Sequence, residues 1–160
     1  MPKLTLDAID RRILRELQED ARLTNVELAD RIGLSPSPCL RRVRILEEAG
    51  IIAGYRATLS RKNAGLGLTV FVGVKVERHH DEEATAFQRA VADVPEVIAC
   101  YLVSGEHDFL IEVVVPDLEG YEQFLMGRLL RLPGVIDVRS NFAIRTVKSP
   151  ASLPLDHLPM

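Results

Sequence analysis

Apolar positions recur with two different periods along this chain, and the change of period divides it. From Leu6 to Gly50 they recur every three to four positions, as helix faces require. Ile9, Ile13, Leu14 and Leu17 share one face of a first helix, with Asp7 as its cap and Leu6 as a staple. Thr24 and Glu27 stand at capping-box spacing before a second helix that carries Val26, Leu28, Ala29 and Ile32 and stops at Gly33. Gly33-Leu34 is the turn. Ser35 caps a third helix with Pro36 at its first position, where a missing N–H costs nothing. Gly50 ends that helix. A short helix, a tight glycine turn and a following helix predict a helix-turn-helix over residues 1–53.

Beyond Gly54 the period shortens to two. Gly54–Leu59 (GYRATL) reads as a short strand, and the turn-rich run from Ser60 to Gly67 reads as a linker, so 54–67 separates two domains. Leu68, Val70, Val72, Val74 and Val76 alternate along a strand to Glu77. Asp81–Asp93 is helical, with Ala84, Phe87, Val91 and Val94 in register. Val97–Val103 and Asp108–Val115 are strands joined by the turn Ser104-Gly105-Glu106-His107. Asp117 caps a helix carrying Tyr121, Phe124, Leu125 and Leu129. Pro133-Gly134 breaks it, and Val135–Lys148 is the last strand. The order βαββαβ over 68–148 is that of a ferredoxin-like sandwich, with 149–160 as a tail. The fold class is α+β: an N-terminal helix-turn-helix, winged-helix-like, followed by this sandwich.

Two helices cover one face of a four-stranded sheet. Yet the third strand is apolar on both sides, with Leu110 and Val114 opposite Phe109, Ile111, Val113 and Val115. The second strand is similar: Val97, Ala99, Tyr101 and Val103 oppose Ile98, Cys100 and Leu102. A bare apolar face of that size is a liability. A second subunit is expected to cover it, and a two-fold dimer suits a helix-turn-helix protein that reads paired half-sites.

Charge sharpens the division. The chain carries a net −3, but residues 1–62 hold 12 Lys and Arg against 9 Asp and Glu, while 63–160 hold 8 against 14. Such asymmetry points to a nucleic-acid module beside an acidic one. On the third helix, Cys39, Val43 and Leu46 fall on the core face. Ser37, Arg41 and Arg44 fall nearly opposite, with Arg42 at the flank. A core stripe backed by arginines fits a recognition helix in the major groove of double-stranded DNA. Its N-terminus offers N–H groups at Ser35 to Ser37 to phosphates or base edges. Arg56, Arg61 and Lys62 in the linker can touch the DNA backbone, and solvated linker charge is the alternative reading. For the third helix the alternative is a solvated arginine face on a plain three-helix bundle.

Other chemistries find little footing. No run approaches the roughly 20 apolar residues of a membrane span, and MPKLTLDAIDRR has no signal-peptide core. Cys39 and Cys100 lack metal spacing and read as buried thiols in a reducing compartment, which places the protein in the cytoplasm. No G-x-S-x-G, Walker or Rossmann fingerprint is present. His79-His80-Asp81-Glu82 straddles a strand–helix junction and reads as a solvated helix start rather than a metal site. The chain reads as a non-enzyme without cofactor or metal.

Three stretches carry a family resemblance: LDAIDRRILRELQEDARLTNVELADRIGLSPSPCLRRVRILEEAGIIAGYRA at 6–57, CYLVSGEHDFLIEVVVPD at 100–117 and LLRLPGVIDVRSNFAIRTVK at 129–148. GLSPSPCLRRVRILE is the most specific part, and the trailing SLPL at Ser152–Leu155 agrees. The chain resembles the Lrp/AsnC family, the leucine-responsive and asparagine-type regulators. The resemblance implies transcription regulation by a helix-turn-helix joined to a βαββαβ ligand domain. It also implies homodimers through the sheets, often assembling to octamers, and a small effector, generally an amino acid, bound near Ser104-Gly105-Glu106-His107-Asp108. On the matching positions Gly105 and Asp108 are the first effector candidates, with Ser104 behind them and His107 beside them. A glycine turn can hold an α-carboxylate, and an Asp can receive an α-ammonium. The same residues also build ordinary hairpin turns. Phe109 stands where the family often has Tyr, and His107 is a departure. Read alone, His107 is an exposed turn histidine, though one that titrates near neutrality would make sensing pH-dependent. Two other functions share the fold: an architectural DNA-compacting protein without ligand response, and a tetrapyrrole decarboxylase, which needs more histidines than this chain has.

Overall fold

The computed structural model describes residues 5–77, 81–149 and 152–158. They form two compact units. One holds the described residues up to Thr58 together with those from Lys148 onward, and the other is Leu59–Val147. Among the described residues no helix is long and apolar enough to cross a membrane.

The first unit is built on α1 (Ala8–Glu19), α2 (Asn25–Ile32) and α3 (Pro36–Glu48). Asp7 caps α1 by accepting from the Ile9 and Asp10 N–H groups, and the Asp10 side chain accepts from Asp7 N–H in return. Thr24 and Glu27 make the same reciprocal box on α2. Each box satisfies backbone donors that a helix start leaves open. Gly33 takes φ 74°, the left-handed value that ends α2 and aims the chain into α3. Ile13, Leu14, Leu28, Ala29, Ile32, Cys39 and Leu46 close the core. Val26, grouped with Leu28, Ala29 and Ile32 of α2 in the sequence, is 64% exposed. At about 100° a step it falls on the side of α2 away from Leu28.

The segment after Lys148 belongs to this unit. Leu155 and Leu158 pack against its core. Arg15 pairs with Asp156 at 2.7 Å, Arg11 reaches the Leu158 carbonyl at 3.2 Å, and Gln18 accepts from Leu153 N–H at 2.6 Å. Gly54–Leu59, expected as a strand, carries no strand structure. Its own unit offers no sheet edge, and an isolated strand leaves its backbone groups unpaired.

The second unit is β1 (Leu68–Val76), α4 (Asp81–Ala92), β2 (Val97–Leu102), β3 (Phe109–Val115), α5 (Leu118–Gly127) and β4 (Val135–Phe142). All pairs are antiparallel, in the order β2-β3-β1-β4. This is the ferredoxin-like arrangement. Val70, Val72, Val74, Phe109, Ile111 and Val113 meet Phe87 and Val91 of α4 and Tyr121 and Phe124 of α5 in one core.

Three expectations shift here. The last strand stops at Phe142, not Lys148: Phe142 pairs with Val70, one more bond runs from Ala143 N–H to the Thr69 carbonyl at 3.0 Å, and β1, which begins at Leu68, is too short to carry the pairing on to Lys148. A register shift between Val97 and Ala99 breaks the simple alternation of β2, so Val97, Cys100 and Leu102 pair with core positions while Ala99 and Tyr101 turn to the other face. Cys100, expected as buried, is exposed on this edge strand, whereas Cys39 is buried. The sheet face away from the helices leaves Phe71 39%, Tyr101 58% and Leu110 36% exposed, while Val114 is buried.

Candidate nucleic-acid interface and effector turn

The candidate reading surface is one side of α3. Ser37, Leu40, Arg41, Arg44, Ile45 and Glu48 line a shallow groove of about 280 Å³. Steps of about 100° per residue bring Ser37, Arg41 and Arg44 together, and all three are exposed. Among the described residues, neither Arg41 nor Arg44 makes an ion pair. Their five-donor guanidinium groups stay available for guanine edges or phosphates.

Ser35 takes the cap position with extended backbone, yet its side chain makes no cap hydrogen bond. Its hydroxyl is left for another acceptor. Pro36 and Pro38 carry no N–H, so of the donors expected at Ser35 to Ser37 only those of the two serines exist. The donor end of α3 is therefore narrower than the sequence reading made it.

Arg42 does not join the groove. It turns toward α1, and one guanidinium nitrogen lies 2.8 Å from both Asp7 and Asp10. Asp10 is the one buried charged residue described, at 8% exposure. The Asp10 N–H and the Arg42 guanidinium hold the Asp7 carboxyl below its ordinary value, with burial opposing. The pair of carboxylates thus claims the arginine that helical phase alone left at the flank. Arg42 thereby ties α3 to the start of α1.

Arg56 lies exposed in the extended segment after α3. Beside it the Tyr55 hydroxyl donates to Glu47 at 2.9 Å and anchors that segment to the end of α3. Burial and the Glu47 carboxylate push the Tyr55 phenol up to about 12. Arg61, expected among the backbone-contacting linker charges, is spent within the second unit. It reaches Glu112 at 2.9 Å and Thr69 at 3.1 Å.

The turn between β2 and β3 carries the effector candidates. Ser104 and Gly105 are exposed, and Gly105 has φ 122°, which favours glycine. Asp108 is half-buried, and its carboxylate accepts from Val76 N–H at 3.0 Å. That bond ties the turn to the end of β1, where the register with β4 shifts. His107 is not the exposed turn residue expected. Its ring lies on Gly73 of β1, so close that a Cβ there would stand 2.6 Å from the ring. Its Nε2 is buried and has no hydrogen-bond partner. Glu106 reaches over to Arg139 of β4 at 2.6 Å, and Arg139 sits opposite Gly73 in the register. Sequence reasoning missed Gly73 and Arg139. A glycine inside an alternating apolar strand was the available signal for Gly73, since it marks a close approach. Nothing marked Arg139.

His79 and His80 lie outside the described residues, as do the side chains of Asp81 and Glu82. Among the described residues no group of three or more His, Cys, Asp or Glu could hold a metal ion.

Comparison with known proteins bears on both surfaces. Residues 6–53 match a family model described as winged helix-turn-helix DNA-binding, and residues 69–153 match one described as Lrp/AsnC ligand binding domain. The leucine-responsive regulatory proteins of Escherichia coli (strain K12) and Salmonella typhimurium are each 46% identical over 147 residues, covering 92% of this chain and 90% of theirs. A transcriptional regulator of Neisseria meningitidis, solved as a complex with L-Met, aligns with TM-score 0.92 and 42% identity over 96% of this chain and 99% of that one. An AsnC family transcriptional regulator from Agrobacterium tumefaciens aligns with TM-score 0.90 and 39% identity, covering 95% and 99%.

Proposed function

Because the chain belongs to the Lrp/AsnC family of transcriptional regulators, we propose that residues 1–53 read operator DNA through α3 while the sheet domain, residues 68–148, binds an amino acid that modulates that reading. The exposed, unpaired Arg41 and Arg44 beside Ser37 carry the first half of this reading. These three residues make the groove contacts, the Ser35 hydroxyl and Arg56 hold phosphates, and Arg42 acts by positioning α3. The segment 54–67 links the domains, and the protein works in the cytoplasm, where DNA and free amino acids meet.

The effector site is built on Ser104, Gly105, His107 and Asp108. The supporting observation is the buried His107 Nε2 without a partner, next to a glycine turn and a carboxylate. A buried polar atom left unsatisfied is costly, and a bound group that pairs with it is correspondingly favoured. The Neisseria relative with its L-Met supports an amino-acid effector, and the leucine-responsive relatives keep leucine in view. The exposed Phe71, Tyr101 and Leu110 are covered by the same face of a second copy, giving a homodimer that can assemble further, to an octamer. The effector moves the assembly or the DNA affinity only as far as it binds one state more tightly than the other.

The test is a thermal-shift screen of the full chain against the twenty amino acids, repeated on His107→Ala. A ligand that binds the native state raises apparent stability. A hit with the wild type that vanishes in the variant supports the site. A hit unchanged by the variant moves the pocket elsewhere, and a flat screen favours an architectural DNA-binding role without ligand response.

A further inference from the structure

Two side chains in the reading groove do not fit a face made for water. Leu40 is 39% exposed and Ile45 41% exposed. Neither is among the residues that pack against the first unit's apolar core. Both line the same groove as Ser37, Arg41 and Arg44. In helical phase they fall on opposite flanks of the arginine stripe, about 70° to either side of its centre. The polar middle of the groove is thus rimmed by an aliphatic group on each side.

The partner of such a surface needs apolar knobs set among hydrogen-bonding edges. The DNA major groove has one such group among its bases, the thymine C5 methyl, and aliphatic side chains contact it. We propose that Leu40 and Ile45 are specificity-determining residues that read thymine methyl groups on either side of the arginine contacts. The inference rests on the proposal that this face of α3 enters the major groove, and it adds what that proposal leaves open: the base preference. The two side chains are five residues apart, so about 7.5 Å along the helix. Glu48 lies in the same groove toward the end of α3, where a carboxylate repels phosphate. The first two turns, with Ser37, Leu40 and Arg41, therefore sit deepest.

The test begins with a duplex recovered from a random-sequence pool by the full-length protein. The same duplex is then made with every thymine replaced by uracil, which removes the methyls and leaves each hydrogen-bonding edge intact. The expected result is a loss of wild-type affinity of about fourfold for each methyl no longer buried. In the Leu40→Ala, Ile45→Ala double variant the thymine and uracil duplexes should bind equally. Equal wild-type binding to both duplexes overturns the inference. A uracil penalty that persists in the double variant also overturns it, because the methyls are then read elsewhere. The wild-type comparison alters only the DNA, so equal binding there overturns the inference even if the variants fold poorly. Arg41→Ala separates this inference from the reading beneath it. If Arg41→Ala lowers affinity but uracil does not, only the methyl contacts fail. If Arg41→Ala binds as tightly as the wild type, the groove itself is misplaced and the methyl contacts fall with it.

Discussion

The two units handle their surfaces in opposite ways. The helical unit closes its own core, caps α1 and α2 with reciprocal side-chain bonds and ties several of its arginines internally, to Asp7, Asp10, Glu16 and Asp156. On α3, Arg42 is claimed by Asp7 and Asp10, while Arg41 and Arg44 make no ion pair among the described residues. The sheet unit stays open: one face shows Phe71, Tyr101 and Leu110, and its candidate turn holds a buried nitrogen without a partner, where the helical unit leaves the Asn25 side-chain oxygen in that state on α2. A finished surface reads a ligand as it stands, whereas an unfinished one is completed by a second copy or an effector. That contrast suits a regulator, whose DNA contact must be rigid and whose sensing side must have two states.

The contrast breaks most sharply at the sheet. Leu110→Asp should weaken self-association by about a hundredfold, because an unpaired carboxylate would be buried at the interface. Sedimentation across a dilution series measures this, and unchanged assembly would mean that the face is used for something else. Next come the arginines of α3. Arg41→Ala and Arg44→Ala should each lower affinity for a selected duplex by about tenfold or more while leaving the melting temperature unmoved. Arg42→Ala should do the reverse in stability, costing about 2–3 kcal/mol because the part-buried Asp10 loses its counter-charge. A melting curve and a binding titration on the three variants separate reading from positioning.

Truncation after Lys148 should cost the helical unit about 2 kcal/mol, the packing of Leu155 and Leu158 being only partly buried. If denaturant melts show no loss, the tail is an appendage to that unit. Gly73→Ala should cost about 1 kcal/mol by pushing the His107 ring off the strand. It should blunt the amino-acid response with effector-free DNA binding intact, and adding His107→Ala should recover the stability. The smallest effect is acidic. Asp7 has a lowered folded-state pKa, so its contribution is present above the ordinary value of 3.8 and fades as pH falls through the lower folded value. The stability difference between wild type and Asp7→Asn should therefore shrink in that acid window.

Periodicity, caps and turn residues determined the element order, because they act over a few neighbouring residues. Asp7 and Thr24 cap as their spacing required, Gly33 turns where an L side chain would strain, and β1, β3 and the two sandwich helices bury the stripes that alternation assigned. The groove residues Ser37, Arg41 and Arg44 also followed from helical phase alone. What the tertiary structure decided involves partners far apart in sequence. Arg42 went to carboxylates more than thirty positions earlier, His107 came down on Gly73, and the tail returned to α1. Phase tells which way a side chain leaves its own helix or strand. It carries no information about which distant charge, glycine or carbonyl the folded chain will bring to meet it.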